Sequence, residues 1–187
     1  MALMHSKMGL LESPAKDFDL LGTDDQRYSL DSFKDKKVLV IIFMCNHCPY
    51  VKAVLQRLID LQNEWLNDWK DSAVQFIGIN PNDTVKYPDD SMENMKKLVS
   101  EKKIPFPYLL DETQEVAKAY EAVCTPDIYV YGEERTLLYQ GRIDDDWQNP
   151  DKVTRYDLAE AIQMANDGIV LEEQTPSMGC SIKWKEK

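Results

Sequence analysis

Two short stretches of the chain are apolar at almost every position. All residues from Val38 to Met44 are apolar, and many are β-branched. Residues Ala73 to Ile79 are similar, and the turn-forming Asn80-Pro-Asn-Asp83 follows them. Apolar runs of this length are typical of β-strands buried on both faces. We therefore predict two central strands of a sheet that is covered on both sides.

Helical spacing follows the first strand. From Pro49 onward, apolar side chains recur every three or four positions: Val51, Val54, Leu55, Leu58, Ile59, Leu61, Trp65, Leu66 and Trp69. Start and stop residues predict three more helices. Their spans are about Asp90–Glu101, with a capping-box-like start at Asp90-Ser-Met-Glu93, Asp111–Tyr120, and Thr154–Asn166 before Gly168.

Short alternating segments predict two β-hairpins. One consists of Phe18–Leu20 and Tyr28–Leu30, and the other of Asp127–Tyr131 and Thr136–Gln140. The tail from Glu172 is expected to be extended, with Pro176 and Gly179 preventing regular structure. Helical crossovers between strands, together with an antiparallel hairpin, predict an α/β fold: a mixed central β-sheet flanked by helices, with an N-terminal β-hairpin extension. We expect one domain over residues 1–171 and a tail, 172–187, that packs on it.

Composition narrows the class of protein. The chain has 187 residues, 43% of them hydrophobic, and a formal net charge of −11. Nucleic acids and anionic membranes attract basic surfaces, so we expect neither as a partner. The longest apolar run is shorter than the roughly 20 residues of a membrane span, and the N-terminus lacks the apolar core of a signal peptide. The expected location is the cytoplasm, where thiols stay reduced.

The segment Met44-Cys-Asn-His-Cys-Pro49, between the first strand and the first helix, carries the candidate chemistry. Cysteines at positions i and i+3 can approach closely enough to form a disulfide. Proline suits the first position of a helix, which places Cys48 near its N-cap. Unpaired backbone N–H groups and the helix dipole lower the pKa of a thiol there. We expect Cys45 and Cys48 to form a redox pair at the exposed start of the helix.

Two other interpretations of this segment remain open. Cys45, His47 and Cys48 offer sulfur and nitrogen ligands for copper or zinc, which would make the chain a metal-binding protein without enzymatic activity. The cysteines could instead be small packed side chains. His47 is either a proton carrier that stabilises a thiolate or a polar turn residue.

A Cys-x-x-Cys between a buried strand and a helix, with Thr125-Pro126 before a later strand, resembles the thioredoxin fold. The resemblance narrows to the redoxins, which comprise alkyl hydroperoxide reductases, thiol-specific antioxidants and peroxiredoxin-like thioredoxin relatives. It runs from about Ala15 to Trp184. The segments that carry it include Tyr87-Pro-Asp-Asp-Ser91, Cys124-Thr-Pro-Asp127, Gly141-Arg-Ile-Asp-Asp145 and Gly179-Cys-Ser-Ile-Lys-Trp184.

The resemblance implies a thiol–disulfide oxidoreductase with an antioxidant role and no bound organic cofactor. Protein or small-molecule disulfides would be substrates, and an external thiol would donate electrons. Pro126 would be a cis-proline, and with Thr125 it would present the substrate. Either Cys45 or Cys48 could attack first: Cys45 by similarity to thioredoxin, and Cys48 by its cap position. Cys124 or Cys180 could serve as a third redox partner.

The family also implies an alternative, the reduction of hydroperoxides by a thiol peroxidase. Peroxiredoxins carry a Pro-x-x-x-Thr/Ser-x-x-Cys loop. Aligned on Cys48, this pattern has Ile41 at the proline and Cys45 at the hydroxyl position, whereas Cys48-Pro49 matches the usual peroxidatic pair. Arg142 is the candidate for the arginine of the peroxide pocket. Its other interpretation is an ion pair with Asp144 or Asp145.

Overall fold

A computed structural model describes residues 3–9, 11–68 and 73–186; Trp69, which the sequence assigns to the first helix, lies outside them. The strands are β1 (Leu3–His5), β2 (Leu20–Gly22), β3 (Arg27–Tyr28), β4 (Val38–Phe43), β5 (Val74–Asn80), β6 (Tyr108–Leu110), β7 (Cys124–Thr125), β8 (Asp127–Tyr131), β9 (Leu137–Gly141) and β10 (Met178–Ser181). The helices are α1 (Pro49–Asp68), α2 (Met92–Lys102), α3 (Glu115–Ala119) and α4 (Asp157–Asn166).

Seven strands form the central sheet, in the order β3-β2-β6-β5-β4-β8-β9. Strand β4 runs parallel to β5 and antiparallel to β8, and β5 runs parallel to β6. The N-terminal strands β2 and β3 pair as the predicted hairpin at one edge. These pairings confirm the α/β fold with a mixed central sheet and an N-terminal hairpin.

Strand β4 is apolar throughout because it lies between two hydrophobic cores. Val38, Val40 and Ile42 belong to the core that also contains residues of α1, α2 and α4. The alternate residues Leu39, Ile41 and Phe43 belong to a second core with α3 and the N-terminal hairpin. Side chains alternate between the faces of a strand, so each face needs its own apolar set. The end of β4 is therefore held firmly where the candidate site begins.

The N-termini of three helices differ from the sequence prediction, and α3 begins at Glu115 rather than at Asp111. Helix α2 begins at Met92, and its N-cap is Ser91, whose hydroxyl accepts a hydrogen bond from the backbone of Asn94. The capping role predicted for Asp90 is wrong, because its carboxylate is used elsewhere. Helix α4 begins three residues later than predicted. The residues just before α4 are held out of the helix because the carboxylate of Asp145 accepts hydrogen bonds from the backbone N–H groups of Thr154 and Arg155.

The C-terminal tail contains a regular strand, which the sequence analysis did not predict. Strand β10 lies between β1 and β7 in a separate three-stranded antiparallel sheet. Gly179, which we expected to break regular structure, is what permits this strand. A Cβ atom there would lie 2.0 Å from the carbonyl oxygen of Thr125. Only glycine allows the two backbones to approach so closely.

Helix α1 is fixed to the sheet by a buried amide as well as by its apolar face. Strand β6 pairs only with residues 78–80 of β5. The side chain of Gln62 bonds two backbone groups in the preceding part of β5: its oxygen accepts from Phe76 N–H at 2.7 Å, and its nitrogen donates to the Val74 carbonyl at 3.5 Å. No helix in the described part of the chain has the length and apolar character to cross a membrane.

We predict that Gln62→Leu lowers the free energy of unfolding by about 1–3 kcal/mol, because Phe76 N–H would be buried without a partner. Chemical denaturation monitored by circular dichroism measures this change. Gln56→Leu on the exposed face of α1 is the matched control, with an expected change within about 0.5 kcal/mol. Equal effects of the two substitutions would contradict the structural role of Gln62.

Candidate active site

The loop between β4 and α1 places the two cysteines of the Cys-x-x-Cys segment at the start of the helix. Helix α1 begins at Pro49, and the carbonyl of Cys48 accepts a hydrogen bond from Lys52 N–H at 3.0 Å. Cys48 is therefore the N-cap residue. The backbone N–H of Val51, at the third position of the helix, hydrogen-bonds its sulfur. The predicted cap position is present in the structure.

Burial is the main difference from the expected site. All four cysteines are reduced thiols and all are buried. Cys45 is 1% exposed and Cys48 is fully buried, so the expectation that they lie at an exposed helix start is wrong. The cover comes from the segment around Thr125 and from the C-terminal strand, which lie over the helix start. A substrate reaches these sulfurs only through a gap or a movement of that cover.

The two sulfurs share a hydrogen bond that separates their pKa values. The hydrogen bond with Cys45 is the main reason that the pKa of Cys48 falls to about 5, and it outweighs burial, which acts in the opposite direction. The same hydrogen bond, with burial and the charge of Asp90, raises the pKa of Cys45 well above its ordinary value. One proton therefore stays on Cys45 while Cys48 becomes the thiolate at neutral pH.

Thr125, which precedes Pro126, lies against the two cysteines. In its protonated form the Cys48 thiol donates a hydrogen bond to the Thr125 carbonyl oxygen, 3.1 Å away, and the Thr125 hydroxyl lies 3.5 Å from the Cys45 sulfur. The Thr125–Pro126 peptide bond is cis, as the resemblance implied. The structure thus brings together Cys45, Cys48 and Thr125, with Pro126 next in the chain.

His47 is held by a residue that the sequence analysis did not select for the site. Its Nδ1 atom lies 2.6 Å from a carboxylate oxygen of Asp90 and 4.0 Å from the Cys45 sulfur. The ring also stacks on Tyr87, with 5.6 Å between centroids and 10° between planes. Because the carboxylate orients Nδ1 beside the more basic sulfur, the pair can hold a proton next to Cys45.

Asp90 also fixes the backbone of the loop. Its carboxylate accepts hydrogen bonds from the backbone N–H groups of Asn46 and His47, at 2.8 and 3.2 Å, and from the Asn82 amide at 2.8 Å. Asp90 is fully buried. It stands within Tyr87-Pro-Asp-Asp-Ser91, one of the segments that carry the family resemblance, but nothing in its local sequence separates this role from helix capping.

The candidate metal ligands differ from the predicted set. Among the described residues, the group that could hold a metal ion is Cys45, His47 and Asp90, with one potential ligand atom of each within 4.8 Å of the others. Cys48 is not part of it. Both carboxylate oxygens of Asp90 already accept hydrogen bonds from the protein, so a metal ion would have to compete with these donors.

The two remaining cysteines lie on neighbouring strands with different surroundings. Cys180 lies opposite Thr125 in the pairing of β10 with β7, and its thiol hydrogen-bonds that of Cys48. The Cys124 thiol lies 3.8 Å from the Ser6 hydroxyl and 3.6 Å from the Pro126 carbonyl oxygen. Burial raises the pKa of Cys124 far above its ordinary value. Cys180 therefore hydrogen-bonds a member of the redox pair, whereas Cys124 contacts Ser6 and Pro126.

Arg142 lines a cavity beside the site rather than contacting the cysteines. Its guanidinium pairs with Asp157 at 2.9 Å, so the predicted partners Asp144 and Asp145 are wrong. Asp144 pairs instead with Arg57 of α1. The cavity holds about 360 Å³, and its walls include Tyr50, Pro126, Arg142, Ile143, Trp147 and Ser177. Tyr50 lies two positions after Cys48 and Pro126 directly follows Thr125, so the cavity is lined in part by the segments that carry the site.

A fold of this type with two cysteines at a helix start defines a thioredoxin-fold redox protein. Residues 11–140 match the model of the AhpC/TSA family. The chain belongs to this family and is an oxidoreductase or thiol peroxidase.

Solved structures have the same fold. An uncharacterized conserved protein from Geobacillus kaustophilus is 43% identical, with a TM-score of 0.92 over 100% of this chain and 98% of that one. The thioredoxin domain of a thiol-disulfide oxidoreductase from Bacteroides vulgatus (19% identity, TM-score 0.59, 83% and 99% covered) and the peroxidoxin BcpB from Mycobacterium tuberculosis (15%, 0.57, 84% and 94%) share the fold. A search of curated proteins gives no match.

We predict that Cys45→Ala raises the pKa of Cys48 from about 5, because the substitution removes the main hydrogen bond to its sulfur. The ultraviolet absorbance of the thiolate, followed against pH and corrected with Cys48→Ser, measures the shift. In Cys124→Ser the titration near pH 5 should remain, since that thiol bonds Ser6 instead. An unchanged titration in Cys45→Ala would refute the shared hydrogen bond.

A second prediction concerns Asp90. Asp90→Asn replaces an acceptor of several buried N–H groups with an amide, and we expect it to lower the free energy of unfolding by about 1–3 kcal/mol. Asp89→Asn is the matched control, because the neighbouring side chain is exposed. Denaturant unfolding of both variants tests the claim, which fails if the two substitutions cost the same.

Proposed function

We propose that the protein is a thiol–disulfide oxidoreductase in which Cys48 is the attacking thiol and Cys45 the resolving one. The observation that carries this proposal is the shared hydrogen bond, which lowers the pKa of Cys48 and raises that of Cys45. A thiolate is the nucleophile in disulfide exchange, and a cysteine of low pKa is also a good leaving group. Cys48 therefore suits both halves of a cycle in which its disulfide forms and breaks.

The reaction balances with the two cysteines alone. The Cys48 thiolate attacks one sulfur of the substrate disulfide; a mixed disulfide forms, and the other substrate sulfur leaves as a thiolate. Cys45 then attacks the Cys48 sulfur and releases the second substrate thiol, so the substrate gains two electrons and a Cys45–Cys48 disulfide remains. Two thiols of an external donor reduce that disulfide and become oxidised in turn.

Three neighbouring groups support these steps. Once Cys48 is in a mixed disulfide, its negative charge no longer raises the pKa of Cys45, and the resolving thiol ionises more easily. His47 donates its Nδ1–H to Asp90, and because Nδ1 lies 4.0 Å from the Cys45 sulfur, the same N–H can stabilise the thiolate that forms there. The Thr125 hydroxyl, 3.5 Å from the same sulfur, orients it.

Membership of the AhpC/TSA family favours a second candidate, the reduction of hydroperoxides. A low-pKa Cys48 followed by Pro49 suits this reaction, in which the thiolate attacks the peroxide and becomes a sulfenic acid. Two features favour the first candidate instead. Cys45 stands at the hydroxyl position of the peroxiredoxin loop, and the guanidinium of Arg142 is committed to Asp157.

Turnover of a small aromatic disulfide with dithiothreitol as the donor tests the proposal. We expect Cys48→Ser to reduce turnover to the uncatalysed rate and Cys45→Ser to slow it. Peptide mapping of the oxidised wild-type protein should identify a Cys45–Cys48 disulfide.

Hydroperoxide in place of the disulfide separates the two candidates. Oxidation by peroxide that is much faster than that of a free thiol, with sulfenic acid trapped at Cys48 and little disulfide turnover, would favour the peroxidase. Full disulfide turnover in Cys48→Ser would refute the assignment of Cys48 as the attacking thiol, which both candidate functions share.

A further inference from the structure

The C-terminal strand β10 pairs with β7, the short strand that carries Thr125 beside the redox pair. Cys180 stands directly opposite Thr125, and Ser181 stands opposite Cys124. Directly opposite residues of an antiparallel pair point to the same face. The Thr125 hydroxyl lies 3.5 Å from the Cys45 sulfur, so this face is the one that contacts the redox pair.

The register therefore places Cys180 and Cys124 on different faces of this sheet. Cys180 shares the face of Thr125, and its thiol forms a hydrogen bond with Cys48. Cys124 lies on the alternate face, where its thiol contacts Ser6. A one-residue shift of β10 would reverse this arrangement, because side chains alternate along a strand.

Several contacts hold the register on both sides of Cys180. Before it, the Ser177 carbonyl accepts a hydrogen bond from Ser6 N–H at 2.9 Å. After it, Ile182 N–H donates to the Val123 carbonyl at 3.0 Å, and Lys183 N–H donates to the Asn82 side chain at 2.9 Å. Between them, Gly179 allows the close approach to Thr125. Cys180 is thus held beside Cys48 rather than brought there by chance.

We propose that β10 is an internal substrate strand, and that Cys180 is a second resolving thiol that forms a disulfide with Cys48. The proposal rests on the oxidoreductase function proposed above. A mixed disulfide on Cys48 would be attacked at the Cys48 sulfur by either Cys45 or Cys180. In the second case the Cys48–Cys180 bond forms, the bond to the substrate breaks, and the substrate thiol leaves with the proton that Cys180 loses.

The protonation of Cys180 fits this sequence of events. Burial and the neighbouring Cys48 raise the pKa of Cys180 to about 12, so it stays a thiol in the resting protein. Conversion of Cys48 to a mixed disulfide removes the charge on Cys48, and with it one of the causes that raise the pKa of Cys180. A thiol held next to its target also reacts far faster than one that diffuses in from solution.

The occupied edge also selects the class of substrate. A peptide can pair with Thr125 only after β10 leaves, whereas a small molecule fits the cavity that Pro126 and residues 175–178 line beside that strand. We therefore expect low-molecular-weight disulfides to be preferred over disulfides of folded proteins.

Glutathione disulfide tests the role of Cys180 in the background Cys45→Ser, which removes the other resolving thiol. In Cys45→Ser alone, we expect Cys180 to displace glutathione, so intact-mass spectrometry shows loss of the adduct and peptide mapping shows a Cys48–Cys180 disulfide. In Cys45→Ser/Cys180→Ser, the adduct should accumulate to one glutathione per chain. The double variant Cys45→Ser/Cys124→Ser is the matched control and should behave like Cys45→Ser.

The outcomes separate this proposal from the function on which it rests. A glutathione adduct that persists on Cys48 in Cys45→Ser overturns the role of Cys180 and leaves the oxidoreductase function intact. Absence of any adduct in the double variant lacking Cys45 and Cys180 overturns both. Gly179→Ala provides an independent test. Its added Cβ displaces β10, so we expect oxidation of this variant to give the Cys45–Cys48 disulfide and to lose the Cys48–Cys180 disulfide.

Discussion

The hydrogen bond between the Cys45 and Cys48 sulfurs is the interaction on which the chemistry of the site depends. Burial alone would raise the pKa of both thiols and leave neither reactive at neutral pH. The shared proton, together with the Val51 N–H at the start of α1, reverses this effect at Cys48 only. A buried site thus contains one reactive sulfur and one protonated sulfur, although the two residues are of the same type.

The protein scaffold keeps those sulfurs in position from three directions. Strand β4 is clamped between two cores and ends immediately before the loop. The buried carboxylate of Asp90 bonds the backbone of that loop from the side of α2. Thr125 closes the third side, with β10 behind it. The groups that hold the loop come from segments distant in sequence, so the site exists only in the folded chain.

The sequence predicted the central sheet well because each part of it has a local pattern. The apolar run of β4 and the spacing along α1 both reflect burial that is repeated over many residues. The Cys-x-x-Cys segment and the N-cap position of Cys48 were likewise predictable from a short motif, whereas the cis bond before Pro126 was implied by the family resemblance. These features depend on the chain within a few residues of the motif.

Long-range pairings were not predictable in the same way. Gly179 indicates a break by its local propensity, yet a close approach to Thr125 makes it part of a strand. Asp90 matches a helix cap in sequence, and only the fold brings it to the loop that contains His47. Burial of the cysteines also depends on these distant segments. Arg142 similarly finds its partner, Asp157, fifteen positions along the chain.

That last ion pair determines how the cavity can recognise a molecule. The guanidinium of Arg142 is neutralised by Asp157, and the carboxylate of Asp144 by Arg57. The walls that remain are largely aromatic and aliphatic, with Tyr50 and Trp147 in contact at 4.2 Å between ring centroids. Fit and apolar contact would govern the entry of neutral molecules, whereas the ionised carboxylate of Asp145, which also lines the cavity, would repel anions.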